Sequence, residues 1–182
     1  MASEHRAHLV VMGVSGCGKT TIAGHFAASA GAEFLDADDL HPRANIAKMA
    51  EGIALTDADR RPWLAAVREE MRARAGGCVV ACSALRRQYR DVLREAAETV
   101  AFVHLRGSPA VITARLSTRS GHFMPTALLD SQFASLESLE PDELGIVLDA
   151  QDTPAEIVTA VGEFTLAAGI DLAPRTPGGE SA

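Results

Sequence analysis

Lys19 and Thr20 close the run Gly13-Val14-Ser15-Gly16-Cys17-Gly18-Lys19-Thr20, which fits G-x-x-x-x-G-K-[ST] at every fixed position. Such a run can hold a nucleoside triphosphate. Its glycines let successive backbone N–H groups curl around phosphate oxygens with no side chain in the way. The Lys19 ammonium can neutralise the β- and γ-phosphates, and the Thr20 hydroxyl can ligate Mg²⁺. Thr21 follows directly and completes the nucleotide-binding candidates of this stretch.

Three further groups of residues could act on a bound phosphate. Asp36 and Asp38 stand two apart, so an extended segment would turn both carboxylates to one side. One suits a metal held through water, the other a hydrogen bond from an attacking hydroxyl. The same spacing also makes acidic loops and helix caps. Its position at the end of a predicted strand, in a chain with a phosphate loop, favours the chemistry. Arg86, Arg87 and Arg90 follow Cys82, with Arg94 beyond. Such a cluster can clamp a carboxylate bidentately. A solvated basic face is the alternative, favoured for Arg86 and Arg94 taken singly. Arg115 and Arg119 share a helical face ahead of Gly121 and His122, as a lid over phosphates would require. An arginine delivered there would stabilise charge on a transferring phosphoryl group, although arginines at that spacing are commonplace. Arg60 opposes the dipole at the start of a predicted helix, which marks it for an anionic partner. Beside it Trp63 reads as core, and Asp57 or Asp59 as a cap.

Alternating elements must position these groups. Short apolar strands are predicted at 8–12, 33–35, 78–82, 99–105 and 145–148. Helices are predicted at 19–29, 44–50, from 57 or 59 to 74, at 85–93, 109–118, 126–136 and 154–168. Pro62 is expected in the first turn of its helix. Strand–helix alternation without repeats or linkers calls for an α/β fold, a parallel sheet covered on both faces. Ligands of such sheets sit beyond the carboxyl ends of the strands.

The chain has 182 residues, 47% hydrophobic and 23% charged, which suits one globular domain over 1–170. Residues 171–182 carry two prolines and two glycines and read as a disordered tail. A net charge of -7 disfavours extended nucleic-acid binding. The apolar run at 9–14 is short for a signal-peptide core, and no stretch approaches a membrane span. Cys17, Cys78 and Cys82 read as reduced core thiols of a cytoplasmic protein rather than a metal site.

The stretches GVSGCGKTT, FLDADDLHPRANIAKMAEGIALTDADRRPWL, CSALRRQYRDVLR and RSGHF followed by SQF together resemble the small P-loop gluconokinases, relatives of shikimate and nucleoside monophosphate kinases. LHP-x-x-N-x-x-KM joined to D-x-D-R-x-PWL is far more specific than the phosphate loop. Cys17 and Thr20 replace residues that are often serine in the family, and Arg86 and Arg87 stand where lysines are usual. The resemblance implies a P-loop NTPase three-layer sandwich with a five-stranded parallel sheet in the order 2-3-1-4-5. It also implies a small helical lid over about 115–140 and a homodimer. The implied activity is phosphorylation of D-gluconate by ATP with Mg²⁺, giving 6-phosphogluconate. In that scheme Gly13 to Thr21 and Arg115 bind ATP, and Thr20 and Asp36 hold Mg²⁺. Lys19, Asp38 and Arg119 are catalytic. Arg60, Arg87 and Arg90 are carboxylate candidates, and Asp38, His41, Lys48, Tyr89 and His122 meet the polyol. A kinase for another small hydroxy acid such as shikimate is the rival enzyme reading, and a nucleotide-dependent switch the rival from another class. Against a switch, no guanine-reading N-K-x-D segment follows the loop.

Overall fold

Apolar residues with period two set the architecture of the computed structural model, which describes residues 7–118 and 126–172. β1 (Ala7–Met12) is buried at every position. Its alternate side chains part: Leu9 and Val11 enter one core, Val10 and Met12 the other. β3 (Cys78–Ala81) divides the same way, Val79 and Ala81 against Cys78 and Val80. So does β4 (Thr99–Arg106), Ala101 and Val103 against Val100 and Phe102. Strands buried on both faces lose the polar alternation of a half-exposed sheet, which is why these segments read as nearly continuous apolar runs.

With β2 (Glu33–Asp36) and β5 (Gly145–Asp149) the sheet has the order β2-β3-β1-β4-β5, all pairs parallel, as expected. α1 (Lys19–Ala30) and α7 (Pro154–Ala167) cover one face through Ile22, Phe26, Ile157 and Val161. α3 (Asp57–Ala73) and α4 (Arg87–Arg94) cover the other through Trp63, Leu64, Val67 and Leu93. α2 (Arg43–Ala50), α5 (Pro109–Thr118) and α6 (Thr126–Ser135) complete the helices among the described residues.

Capping explains where α3 starts. Thr56 Oγ1 accepts from the Asp59 N–H, and Asp59 Oδ2 accepts from the Thr56 N–H, a reciprocal box contributing about 1 kcal/mol. This start places Pro62 beyond the first turn, where it leaves the Ala58 carbonyl without its i+4 donor.

Two further expectations about local structure are corrected. The segment after β2 is not extended: 37–40 form a 3₁₀ turn capped by Asp36, so Asp38 leaves the strand line. The tail does not begin at 171, because Leu172 is 4% exposed and packs into the core with Ile170; residues 173–182 lie outside the described ones. All three cysteines are free and buried. Burial pushes the Cys78 and Cys82 thiols up to about 12. Among the described residues no His, Cys, Asp and Glu cluster of three or more could hold a metal, and no helix is long and apolar enough to cross a membrane.

Candidate active site

The phosphate loop joins β1 to α1. Gly13 has φ 140°, and a Cβ there would stand 2.7 Å from the Leu105 carbonyl oxygen, so β4 leaves no room for a side chain. Gly18 caps α1 in the left-handed region (φ 104°) without a side-chain cap bond, and no acidic residue occupies the first turn. The positive end of the helix therefore meets no carboxylate of its own helix and suits an anion. Lys19 Nζ donates to the Val14 carbonyl at 3.1 Å, folding back across the loop. Thr20 Oγ1 donates to Asp36 Oδ2 at 3.0 Å, while Asp36 Oδ1 accepts from the Asp38 N–H at 3.1 Å. One carboxylate thus links the loop to the turn that carries Asp38.

Two clefts meet at this loop. One, of about 270 Å³, runs from Gly16 and Gly18 past Thr21 to Arg115, Ala150 and Pro154. Arg115 donates to the Ala150 carbonyl, tying α5 to the segment after β5. The other, of about 430 Å³, runs from Ser15 and Lys19 past Asp38 and His41 to Arg60 and Trp63. Leu128, Ser131 and Gln132 of α6 form its far side. Gln132 Oε1 accepts from the Ser15 N–H at 2.7 Å, joining α6 to the loop.

The wall of the larger cleft is built on Trp63. Its indole N–H donates to the Ala37 carbonyl at 2.7 Å, and the His41 ring stacks on it with centroids 4.2 Å apart. Burial, and to a lesser degree the Arg60 charge, lower the His41 pKa against the opposing pull of Asp38. Arg60 lies over the Tyr89 ring, 5.5 Å from its centroid, and donates to the Leu55 carbonyl. Tyr89 OH donates to Asp57, and that bond is the main cause holding the Asp57 carboxyl below the usual range.

Of the expected substrate residues, the fold brings Asp38, His41 and Arg60 to one cleft and places four others elsewhere. Arg90 is fully buried, paired with Glu143 at 2.6 Å and donating to the carbonyls of Ala84, Leu85, Glu137 and Ser138. It holds a turn in which Ala84 has φ 42°, the turn that presents Ser83 and Leu85 to the cleft. Arg87 is engaged outside the cleft by Asp91, Glu140 and Asp142. Lys48 is bound by Asp59 at 2.7 Å, a bond that leads in drawing the Asp59 carboxyl down to about 2. Tyr89 supports Arg60 from behind rather than lining the cleft. Each of these four side chains is held by partners within the chain: Lys48 by Asp59, Arg87 by Asp142, Tyr89 by Asp57 and Arg90 by Glu143. Arg119 and His122 lie outside the described residues.

Two residues that line or support this cleft had been given no role. Gln132 belongs to the SQF stretch and Asn45 to LHP-x-x-N, so both were in view as motif letters. Nothing local to either revealed its partner.

Comparison with known proteins agrees with this geometry. A family model described as an AAA domain matches residues 9–139. The thermosensitive gluconokinase of Escherichia coli (strain K12) is 48% identical over 142 residues, 76% of this chain and 75% of that protein. The crystal structure of a gluconokinase from Sinorhizobium meliloti 1021 is 45% identical with a TM-score of 0.83, covering 91% of this chain and 95% of that one. An unliganded sugar kinase from Janibacter sp. HTCC2649 is 51% identical with a TM-score of 0.86, covering 93% and 99%.

Proposed function

The chain belongs to the gluconokinase family, and from that premise we propose that it transfers the γ-phosphoryl group of ATP to the terminal hydroxyl of D-gluconate, giving 6-phospho-D-gluconate. The observation that carries the reading is that Lys19 and Asp38 line the same cleft, where it meets the phosphate loop. A cation for the transferring group and a carboxylate for the attacking hydroxyl thus share one space.

In this reaction the loop from Gly13 to Thr21 binds the triphosphate through its N–H groups and the α1 terminus. The cleft containing Arg115 takes the rest of the nucleotide. Lys19 neutralises charge on the transferring group, and Arg119 is assigned the same task. Asp38 orients the acceptor hydroxyl and accepts its proton. Arg60 is the carboxylate partner, because of Arg60, Arg87 and Arg90 it alone lines the cleft. His41 hydrogen-bonds the polyol.

Mg²⁺ fits the pair formed by Thr20 Oγ1 and Asp36 Oδ2, two hard oxygen donors 3.0 Å apart beside the loop. A site with few protein ligands suits this ion, which keeps several waters and takes phosphate oxygens. When bound, Mg²⁺ supplies charge neutralisation at the phosphates. Family membership also supports a homodimer, and three buried reduced thiols accord with the cytoplasm.

The test is ADP release in a coupled assay against gluconate, shikimate and a panel of sugar acids. Turnover selective for gluconate is expected. ATP hydrolysis indifferent to every acid would overturn the proposal.

A further inference from the structure

We propose that Asn45 is a positioning residue that holds His41 as its neutral Nε2–H tautomer, so that the imidazole offers the cleft a hydrogen-bond donor and never an acceptor. The identity of the molecule receiving that bond rests on the function proposed above; the tautomer does not.

One amide fixes the tautomer. Asn45 is 3% exposed on α2, and its Nδ2 lies 3.0 Å from the Asp59 carbonyl oxygen. A carbonyl has no proton to give, so the amide atom facing it is nitrogen and the amide orientation follows. The same Nδ2 lies 3.3 Å from His41 Nδ1. An amide nitrogen only donates, so Nδ1 must accept and carries no proton. The proton of the neutral ring is then on Nε2. A doubly protonated ring would set Nδ1–H against an amide N–H, so Asn45 opposes the imidazolium as well as the other tautomer.

Geometry directs this donor into the cleft. Stacking on Trp63 at an interplanar angle of 15° fixes the ring plane. Nε2 faces Asp38 Oδ1 at 3.9 Å, too far for a direct bond. The His41 side chain is 5% exposed and that of Asp38 72%, and both line the cleft. A hydroxylated acceptor therefore meets a donor from His41 beside an acceptor from Asp38, as neighbouring hydroxyls of a polyol require. The charged groups facing the ring are Asp38 from the 3₁₀ turn and Arg60 from α3. The Asp59 carboxylate, next along α3, is taken up by Lys48 and Thr56. Burial and Arg60 favour the neutral ring in the same sense as Asn45.

The test is histidine ¹⁵N NMR on the full chain without ligand, the His41 signals being assigned by their loss in His41→Gln. Two-bond couplings should show the Nε2–H tautomer, persisting below the ordinary histidine titration range. In Asn45→Asp a carboxylate accepts from Nδ1–H, so the titration midpoint should rise by about one unit or more. The same variant should raise the gluconate KM about 10-fold, with the ATP KM nearly unchanged. His41→Gln, whose amide nitrogen reaches the Nε2 position, should keep more gluconate affinity than His41→Asn, whose amide reaches only Nδ1. An Nδ1–H tautomer in the unaltered protein, or an unmoved titration in Asn45→Asp, overturns the proposal. Should Asn45→Asp fail to fold, the unaltered protein's spectrum decides. Because that spectrum needs no substrate, inactivity toward gluconate would sink the functional reading and leave this one standing.

Discussion

Thr20 and Asp36 are sixteen positions apart in the chain, yet the hydroxyl of one donates to the carboxylate of the other across 3.0 Å. The bond ties the first turn of α1 to the end of β2 and sets two oxygen donors beside the phosphate loop. Asp36→Asn keeps an acceptor for Thr20 but removes the charge, whereas Thr20→Ala removes the hydroxyl alone. Each should weaken the apparent affinity for Mg²⁺ about 10- to 100-fold, read as a shift of the Mg²⁺ activation curve. An unmoved curve in both would remove the pair from the metal site.

Asp38 leaves the strand line on a 3₁₀ turn and faces the cleft. Asp38→Asn should lower kcat about 10²- to 10⁴-fold with a much smaller change in the gluconate KM. Near-normal turnover in steady-state assays would exclude Asp38 as the proton acceptor.

The arginines are expected to separate into binding and structural roles. Arg60→Ala should raise the gluconate KM about 10- to 100-fold through loss of a charge-assisted bond. Arg87→Ala, whose side chain is held on the outer surface, should leave that KM unchanged. A gluconate KM that rises with Arg87→Ala and not with Arg60→Ala would reverse the assignment.

Arg90→Met leaves Glu143 buried and unpaired, which should cost about 3–5 kcal/mol in urea unfolding. Adding Glu143→Leu should recover most of that loss. A single variant as stable as the parent would show that the pair contributes nothing.

Acid should destabilise the fold through His104. Burial first, then Arg90 and Arg106, hold its pKa at about 4 against an ordinary 6.5. Between those values the unfolded chain takes up a proton that the folded chain refuses. The stabilisation is therefore complete above about 6.5 and drains as pH falls toward 4, by at most about 1.4 kcal/mol per unit. His104→Gln should flatten that part of the curve in urea unfolding at several pH values. An equal slope in parent and variant would assign it to other groups.

How far the site could be read from sequence depends on how local its causes are. The loop was legible because its glycines, Lys19 and Thr20 act through their own backbone and first helical turn. The strands were legible because burial on both faces leaves an apolar signature. Asp38 was recognised for its chemistry but misplaced in conformation, since the cap formed by Asp36 turns the chain one residue earlier. Arg87 and Arg90 look like a carboxylate clamp when read locally. Their partners Asp142 and Glu143 lie 55 and 53 positions away, and no spacing announces such a pair. Asn45 escaped for the same reason: its importance lies in an amide shared between a loop histidine and the backbone of another helix.

The larger cleft owes most of its wall to one continuous stretch, from Asp38 to Trp63, while the smaller one takes nothing from that stretch. Two recombination breakpoints, one at the end of β2 and one inside α3, would therefore exchange most of the larger cleft's wall in a single event. The nucleotide half would be inherited intact. Ser83, Leu85 and the α6 residues would be the positions left to readjust. A graft of 38–63 is therefore expected to carry the greater part of that wall with it.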